Sequence, residues 1–236
     1  MNKIIAHRGW SSRAPENTIS SIKLALEEER IDMIEIDIHL TKDDVVVVSH
    51  DFVLGRTSNG KGRISDYTYE ELMQFDFGAW FSEKYNGEKI PTLEKVLNII
   101  DGKKTLIVEI KKDNRNYPNM AEQLCKLLKD YKHKDKVLIK SFNHEVIKDI
   151  HHMDDEINIG MLIDGMPNLV LEKVRKLNGS FVSMSFEYID RELVKQLIKN
   201  NIQVMVWTVN EKEDIHRIKE ISDRIGIITN YPEKAF

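Results

Sequence analysis

The segment Met33-Ile34-Glu35-Ile36-Asp37-Ile38-His39 carries two carboxylates and an imidazole at alternate positions. On a β-strand this spacing places Ile34, Ile36 and Ile38 on one face and Glu35, Asp37 and His39 on the other. Carboxylates two residues apart on a strand lie about 6.6 Å from each other, and unpaired buried charges are costly. A divalent cation relieves that cost. Other charged or imidazole groups follow short apolar runs in the same way. His7-Arg8 follows Lys3 to Ala6, and His50-Asp51 follows Val45 to Ser49. Glu109 and Lys111 share a face at the end of the run 105–111, opposite Leu106, Val108 and Ile110.

Glu35, Asp37 and Glu109 together form a hard-oxygen set suited to Mg²⁺, Ca²⁺ or Mn²⁺. Zinc fits less well, because no thiolate is at hand and His39 alone does not complete a usual zinc set. Two like charges 4 Å apart cost about 4 kcal/mol at an effective dielectric of 20, so three carboxylates in one pocket require a counter-charge. Arg8 and Lys111 add positive charge at the same place, which suits an anionic substrate, a phosphate above all. His7 and His50 provide one group to take a proton and one to give it near neutral pH. His39 shares the strand face of Glu35 and Asp37 one step past them and reads as a bystander, with a supporting place beside the metal as the alternative. His133, His144, His151, His152 and His216 fall in helical or loop segments and carry no argument.

These groups need a scaffold that brings strand ends together. Strands are expected at 3–6, at 33–39 with extended chain continuing through 45–49, and at 105–111, 137–141, 157–163, 181–185, 203–208 and 225–229. Helices are expected after Pro15-Glu16-Asn17-Thr18, with Asn17 as N-cap, and at 92–101, 118–132, 143–152, 168–177, 190–200 and 211–221. Eight strands alternating with helices predict an α/β fold, the TIM (β/α)8 barrel, in which functional groups gather at the C-terminal strand ends. Its last helix is cut to a turn after strand eight. A doubly wound sheet would show a Gly-rich loop after the first strand, and His7-Arg8-Gly9-Trp10 is not one. Residues 51–90 fit neither period and hold many glycines and aromatics, which reads as an insertion after strand two that folds over something. The chain 1–236 thus reads as one barrel domain with that insertion.

The 236 residues are 41% hydrophobic and 31% charged, enough for a full core and a polar surface. A formal net charge of −4 argues against a general binder of nucleic acid or anionic membrane. The single Cys125 excludes an intramolecular disulfide and reads as a small packed hydrophobe. The N-terminus does not read as a signal peptide, and no apolar run approaches the roughly 20 residues of a membrane span. A cytoplasmic location is expected, and the oligomeric state is left open.

The ordered set His7-Arg8-Gly9, Pro15-Glu16-Asn17-Thr18, Glu35-x-Asp37, His50-Asp51, Arg56-Thr57 with Asn59-Gly60-Lys61-Gly62, Ile90-Pro91-Thr92-Leu93, Glu109-Ile110-Lys111, Ser141-Phe142, Trp207-Thr208-Val209-Asn210 and Thr229-Asn230-Tyr231-Pro232 resembles the glycerophosphodiester phosphodiesterases over essentially the whole chain. The resemblance implies a (β/α)8 barrel with an insertion after strand two, and one divalent cation on Glu35, Asp37 and Glu109. It implies His7 and His50 as acid and base, phosphate contacts from Arg8 and Lys111, and Trp207 covering the glycerol. Glu16, Asn17, Asp51 and Phe142 are candidates for supporting positions. Asn230 stands where Asp is frequent in the family and the terminal helix is short; neither is expected to touch the chemistry.

The implied reaction turns a small-molecule glycerophosphodiester into glycerol 3-phosphate and an alcohol. The neighbouring glycerol hydroxyl attacks phosphorus, one histidine takes its proton and the other protonates the leaving alcohol. Water then opens the cyclic phosphate. Similar barrels with a histidine pair serve phosphoinositide-type phospholipases C and lysophospholipases D, and the aromatic insertion could receive either a glycerol or an acyl chain. A non-catalytic glycerophosphate-binding barrel would be expected to lack a histidine or a carboxylate, and none is missing here.

Overall fold

The computed structural model describes residues 1–111, 119–165 and 169–236. Eight strands, β1 (Ile4–His7), β2 (Met33–Leu40), β4 (Thr105–Ile110), β5 (Val137–Ser141), β6 (Asn158–Ile163), β7 (Phe181–Ser185), β8 (Gln203–Trp207) and β9 (Ile225–Thr229), pair in parallel around a ring. The ring closes because β1 pairs with both β9 and β2. Helices α1 (Ile19–Glu27), α3 (Leu93–Ile100), α4 (Met120–Lys129), α5 (His144–Met153), α6 (Val170–Lys176), α7 (Arg191–Lys199) and α8 (Lys212–Ile221) stand between successive strands. After β9 there is a single turn, Pro232–Lys234, where an eighth helix would stand. The expected starts of two helices, at 118 and 168, lie outside the described residues.

Alternation along each strand builds two cores. Outward Ile34, Ile36, Ile38, Leu106 and Val108 pack against helices in a large cluster, while inward Ile5, Met33, Ile107, Leu138, Phe181, Met205 and Ile228 fill the base of the barrel. A second outer cluster backs β6 to β9 with α6, α7 and α8. Every residue of β2 is buried. Its polar row therefore faces the interior above an apolar floor.

The stretch after β2 departs from the expectation of a continuing extended chain. β3 (Val46–Val48) turns back and pairs antiparallel with Ile38–Leu40. The reversal is local chemistry: Thr41 Oγ1 donates to Asp43 at 2.6 Å and accepts the Val45 N–H at 2.9 Å, with Asp44 at φ +59°. A side chain that bonds its own backbone stops the strand.

Past β3, the insertion packs mainly on itself. Leu54, Ile64, Leu72, Phe77 and Ile90 form a small core on Val47, with Tyr67 and Phe75 edge to face at 5.4 Å. A short helix α2 (Tyr69–Leu72) starts in a Thr68/Glu71 capping box. Most of its aromatics hold the insertion together. Among the described residues, no helix is long and apolar enough to cross a membrane.

Candidate active site

Parallel register decides which polar groups meet. His7 lies level with Glu35, Asp37 with Glu109, and Glu109 with Lys140. Adjacent strands are about 4.8 Å apart, so side chains from β1, β2, β4 and β5 converge at one mouth. Ligand oxygens of Glu35, Asp37 and Glu109 lie within 4.8 Å of one another, and all three residues are buried. Oxygens bound to a common hard cation at about 2.0–2.6 Å can be no farther apart than twice that distance. The triad therefore fits a divalent cation by donor type and by spacing.

Three cations surround the carboxylates. Lys111 Nζ lies 2.7 Å from Glu109 Oε1 and 3.5 Å from Asp37 Oδ1. Arg8 Nε lies 3.3 Å from Asp37 Oδ2. Lys140 Nζ, 2% exposed, lies 2.9 Å from Glu35 Oε1 and 3.3 Å from Glu109 Oε2. Burial alone would push the Asp37 carboxyl up, but Lys111 and Arg8 outweigh it and hold it well below the usual carboxylate range. The same attraction overcomes burial at the lysines and raises both, through Asp37 and Glu109 for Lys111 and through Glu35 and Glu109 for Lys140.

Asn17 is not the N-cap expected of it. Thr18 caps α1, its side chain accepting the Ser21 N–H. Asn17 instead adopts φ +57°, donates Nδ2 to Asp37 Oδ2 at 2.9 Å and accepts the Asp37 N–H at 3.2 Å. Arg8 is also left-handed, at φ +59°, and is followed by Gly9 at φ +75°. A Cβ on Gly9 would lie 2.7 Å from the Ser21 backbone carbon, so only glycine lets this turn lie on α1.

The two catalytic candidates differ in their partners. His7 Nδ1 lies 2.6 Å from Asn230 Oδ1, an acceptor that puts the ring proton on Nδ1 and leaves Nε2, 3.9 Å from Glu35, as the basic nitrogen. Burial, helped by the charge of Arg8, lowers its pKa to about 3, so the ring is neutral at physiological pH. Asn230 was expected to lie apart from the chemistry, but it holds a catalytic candidate. His50 Nδ1 instead pairs with the Asp51 carboxylate at 2.7 Å.

Asp51 belongs to a longer chain. Arg56, from the insertion, donates Nε to Asp51 at 2.6 Å and both Nη groups to Glu16 at 2.9 and 2.7 Å. Glu16 in turn accepts Arg8 Nη1 at 2.8 Å. One guanidinium thus ties the carboxylate behind His50 to the carboxylate behind Arg8. Burial raises Glu16 and Asp51, but Arg56 outweighs it and lowers both. His39 sits behind this loop, its Nε2 3.1 Å from the His50 carbonyl and its ring against Phe52. Burial lowers its pKa to about 4.

On the far side, Trp207 and Phe142 meet edge to face at 5.9 Å. The buried Trp207 Nε1 has no hydrogen-bond partner among the described residues. The structure therefore gathers His7, Arg8, Glu35, Asp37, Glu109, Lys111, Glu16, Asn17, His50 and Asp51 into one network. Trp207 and Phe142 stand apart from its hydrogen bonds. Sequence reasoning missed Lys140, the tie made by Arg56 and the contact of Asn230. Lys140 did leave a signal, a charge two residues after Leu138 on an otherwise apolar strand.

The chain matches the Glycerophosphoryl diester phosphodiesterase family over residues 7–234. It is 42% identical to a glycerophosphodiester phosphodiesterase of Caldanaerobacter subterraneus subsp. tengcongensis over 98% of this chain and 94% of that protein. It is 31% identical to one of Bacillus subtilis over 97% of this chain and 83% of that protein. An Oleispira antarctica phosphodiesterase, solved in complex with the product sn-glycerol-3-phosphate, superposes with a TM-score of 0.92 at 28% identity, covering 100% of this chain and 95% of that one.

Proposed function

The chain belongs to the glycerophosphoryl diester phosphodiesterase family and is an enzyme of that activity, and from that premise we propose that His7 and His50 exchange protons across a site built for one divalent cation. The observation that carries this reading is the pair of differently held imidazoles beside the buried triad of Glu35, Asp37 and Glu109. Glu35, Asp37 and Glu109 would hold Mg²⁺, Ca²⁺ or Mn²⁺, which when bound would neutralise charge on the phosphoryl oxygens.

Arg8 and Lys111 grip the remaining anionic charge of the diester. His7, neutral and with Nε2 free of its proton, takes the proton of the glycerol hydroxyl next to the ester. That oxygen bonds to phosphorus as the bond to the leaving alcohol breaks. His50, its Nδ1 fixed on Asp51, gives that alcohol a proton from Nε2. For the cyclic phosphate the direction reverses: His50 takes a proton from water, and His7 returns one to the ring-opened hydroxyl. Glycerol 3-phosphate leaves. Trp207 and Phe142 supply an apolar wall for the glycerol carbons.

Phosphorus NMR of a glycerophosphocholine digest checks each part. Glycerol 3-phosphate should accumulate, a cyclic phosphate signal should rise and fall before it, and a chelator should stop both. Release of glycerol 3-phosphate at an undiminished rate in excess chelator would end the metal reading. Undiminished turnover of a diester that lacks the neighbouring glycerol hydroxyl, with no cyclic species at any time point, would end the two-step one.

A further inference from the structure

Lys140 is the cation of the cluster with the least exposure to solvent. It enters from β5 at the level of Glu109, is sealed from solvent, and takes one oxygen from each of Glu35 and Glu109. Lys111, by contrast, comes from beyond the end of β4 and is partly exposed. Glu35, Asp37 and Glu109 carry three negative charges and are touched by Lys111, by Lys140 and by Arg8, whose guanidinium is shared with Glu16. Part of the triad's charge is thus balanced before any ion arrives. A divalent cation must therefore enter against a fixed positive charge that touches two of its three ligands.

We infer that Lys140 is a positioning residue that stands in for part of the metal's charge, holding Glu35 and Glu109 together in the metal-free enzyme and weakening the site for divalent cations. The inference rests on the metal reading above. Two consequences follow from elementary electrostatics. Without the ammonium, the facing carboxylates repel and the metal-free fold loses stability. The same loss removes a like charge from beside the ion, so the ion binds more tightly and restores what the lysine supplied.

Calorimetric titration of Mg²⁺ and thermal unfolding, with and without the ion, test this on the full chain carrying Lys140→Met or Lys140→Gln. Gln keeps an N–H₂ donor for a carboxylate and removes the charge, so it serves if the Met chain does not fold. The metal-free variants should unfold roughly 10 °C lower than the unsubstituted chain. Saturating Mg²⁺ should recover most of that loss, and the Kd for Mg²⁺ should fall by about tenfold or more. Equal losses with and without the ion, or a Kd unchanged or weaker in Lys140→Gln, would overturn the proposal. No calorimetric binding to the unsubstituted chain would instead overturn the metal reading beneath it.

Discussion

The two sides of the barrel are built from the same strand–helix repeat yet carry opposite interiors. On β1, β2, β4 and β5 the inward positions near the mouth are His7, Glu35, Asp37, Glu109 and Lys140. On β7 and β8 they are Ser185 and Trp207, above an apolar floor that includes Phe181, Met205 and Ile228, with the Phe181 ring covering Gly160 of β6. The difference teaches why the charges are consecutive. Only neighbouring strands, about 4.8 Å apart, can bring three carboxylates within reach of one ion. Spread around the ring, the same residues would be isolated buried charges. The apolar side adds to the effect by keeping water away and the local dielectric low, which strengthens every interaction across the mouth.

Substitutions on the charged side should therefore act on rate, and those on the apolar side on substrate binding. The largest effect is expected from His50→Ala, a loss of roughly 10³-fold in kcat with calorimetric metal binding intact. Near-normal turnover in that variant would remove His50 from the chemistry. Next comes Arg56→Gln on the exposed tie. It should cost on the order of tenfold in kcat while changing Tm little, since it releases Asp51 and Glu16 without opening the core. Unchanged steady-state kinetics would show that the tie does not support His50 and Arg8.

Trp207→Phe tests the apolar side. It should raise KM several-fold with kcat nearly unchanged, the signature of lost uniform binding; a fall in kcat alone would place Trp207 with the charged side. The last expectation lies outside both sides and leaves catalysis untouched. Burial raises the Cys125 thiol to about 11 from an ordinary value near 9. A raised thiol pKa means less thiolate, the reactive form, so alkylation at pH 8 should run roughly 100-fold slower than for a free thiol. Rapid labelling at pH 8 would show that this helix side chain is more open than the fold indicates.

Local patterns made much of this legible. Glu35, Asp37, Glu109, His7 and His50 declare themselves because each ends or interrupts an apolar alternation. Asn17 reads both as a cap and as a supporting site residue, since an Asn before a helix is ordinarily a cap, and nothing local says that Thr18 fills that role and frees Asn17 for Asp37. The reversal into β3 was overlooked because Thr41 and Asp43 make a turn without a glycine or proline to mark it.

By itself, the sequence determined which residues face inward, for side-chain alternation is a property of one strand and needs no partner. It likewise determined the order of strands and helices, and through them the barrel. Tertiary structure alone decided that Lys140 balances Glu35 and Glu109, that Asn230 holds His7, and that Arg56 joins Asp51 to Glu16. Apart from Arg56 and Asp51, those pairs are far apart in the chain. Their contacts depend on the register between strands and on the closure of β1 against β9, which the whole ring sets at once and no single stretch encodes.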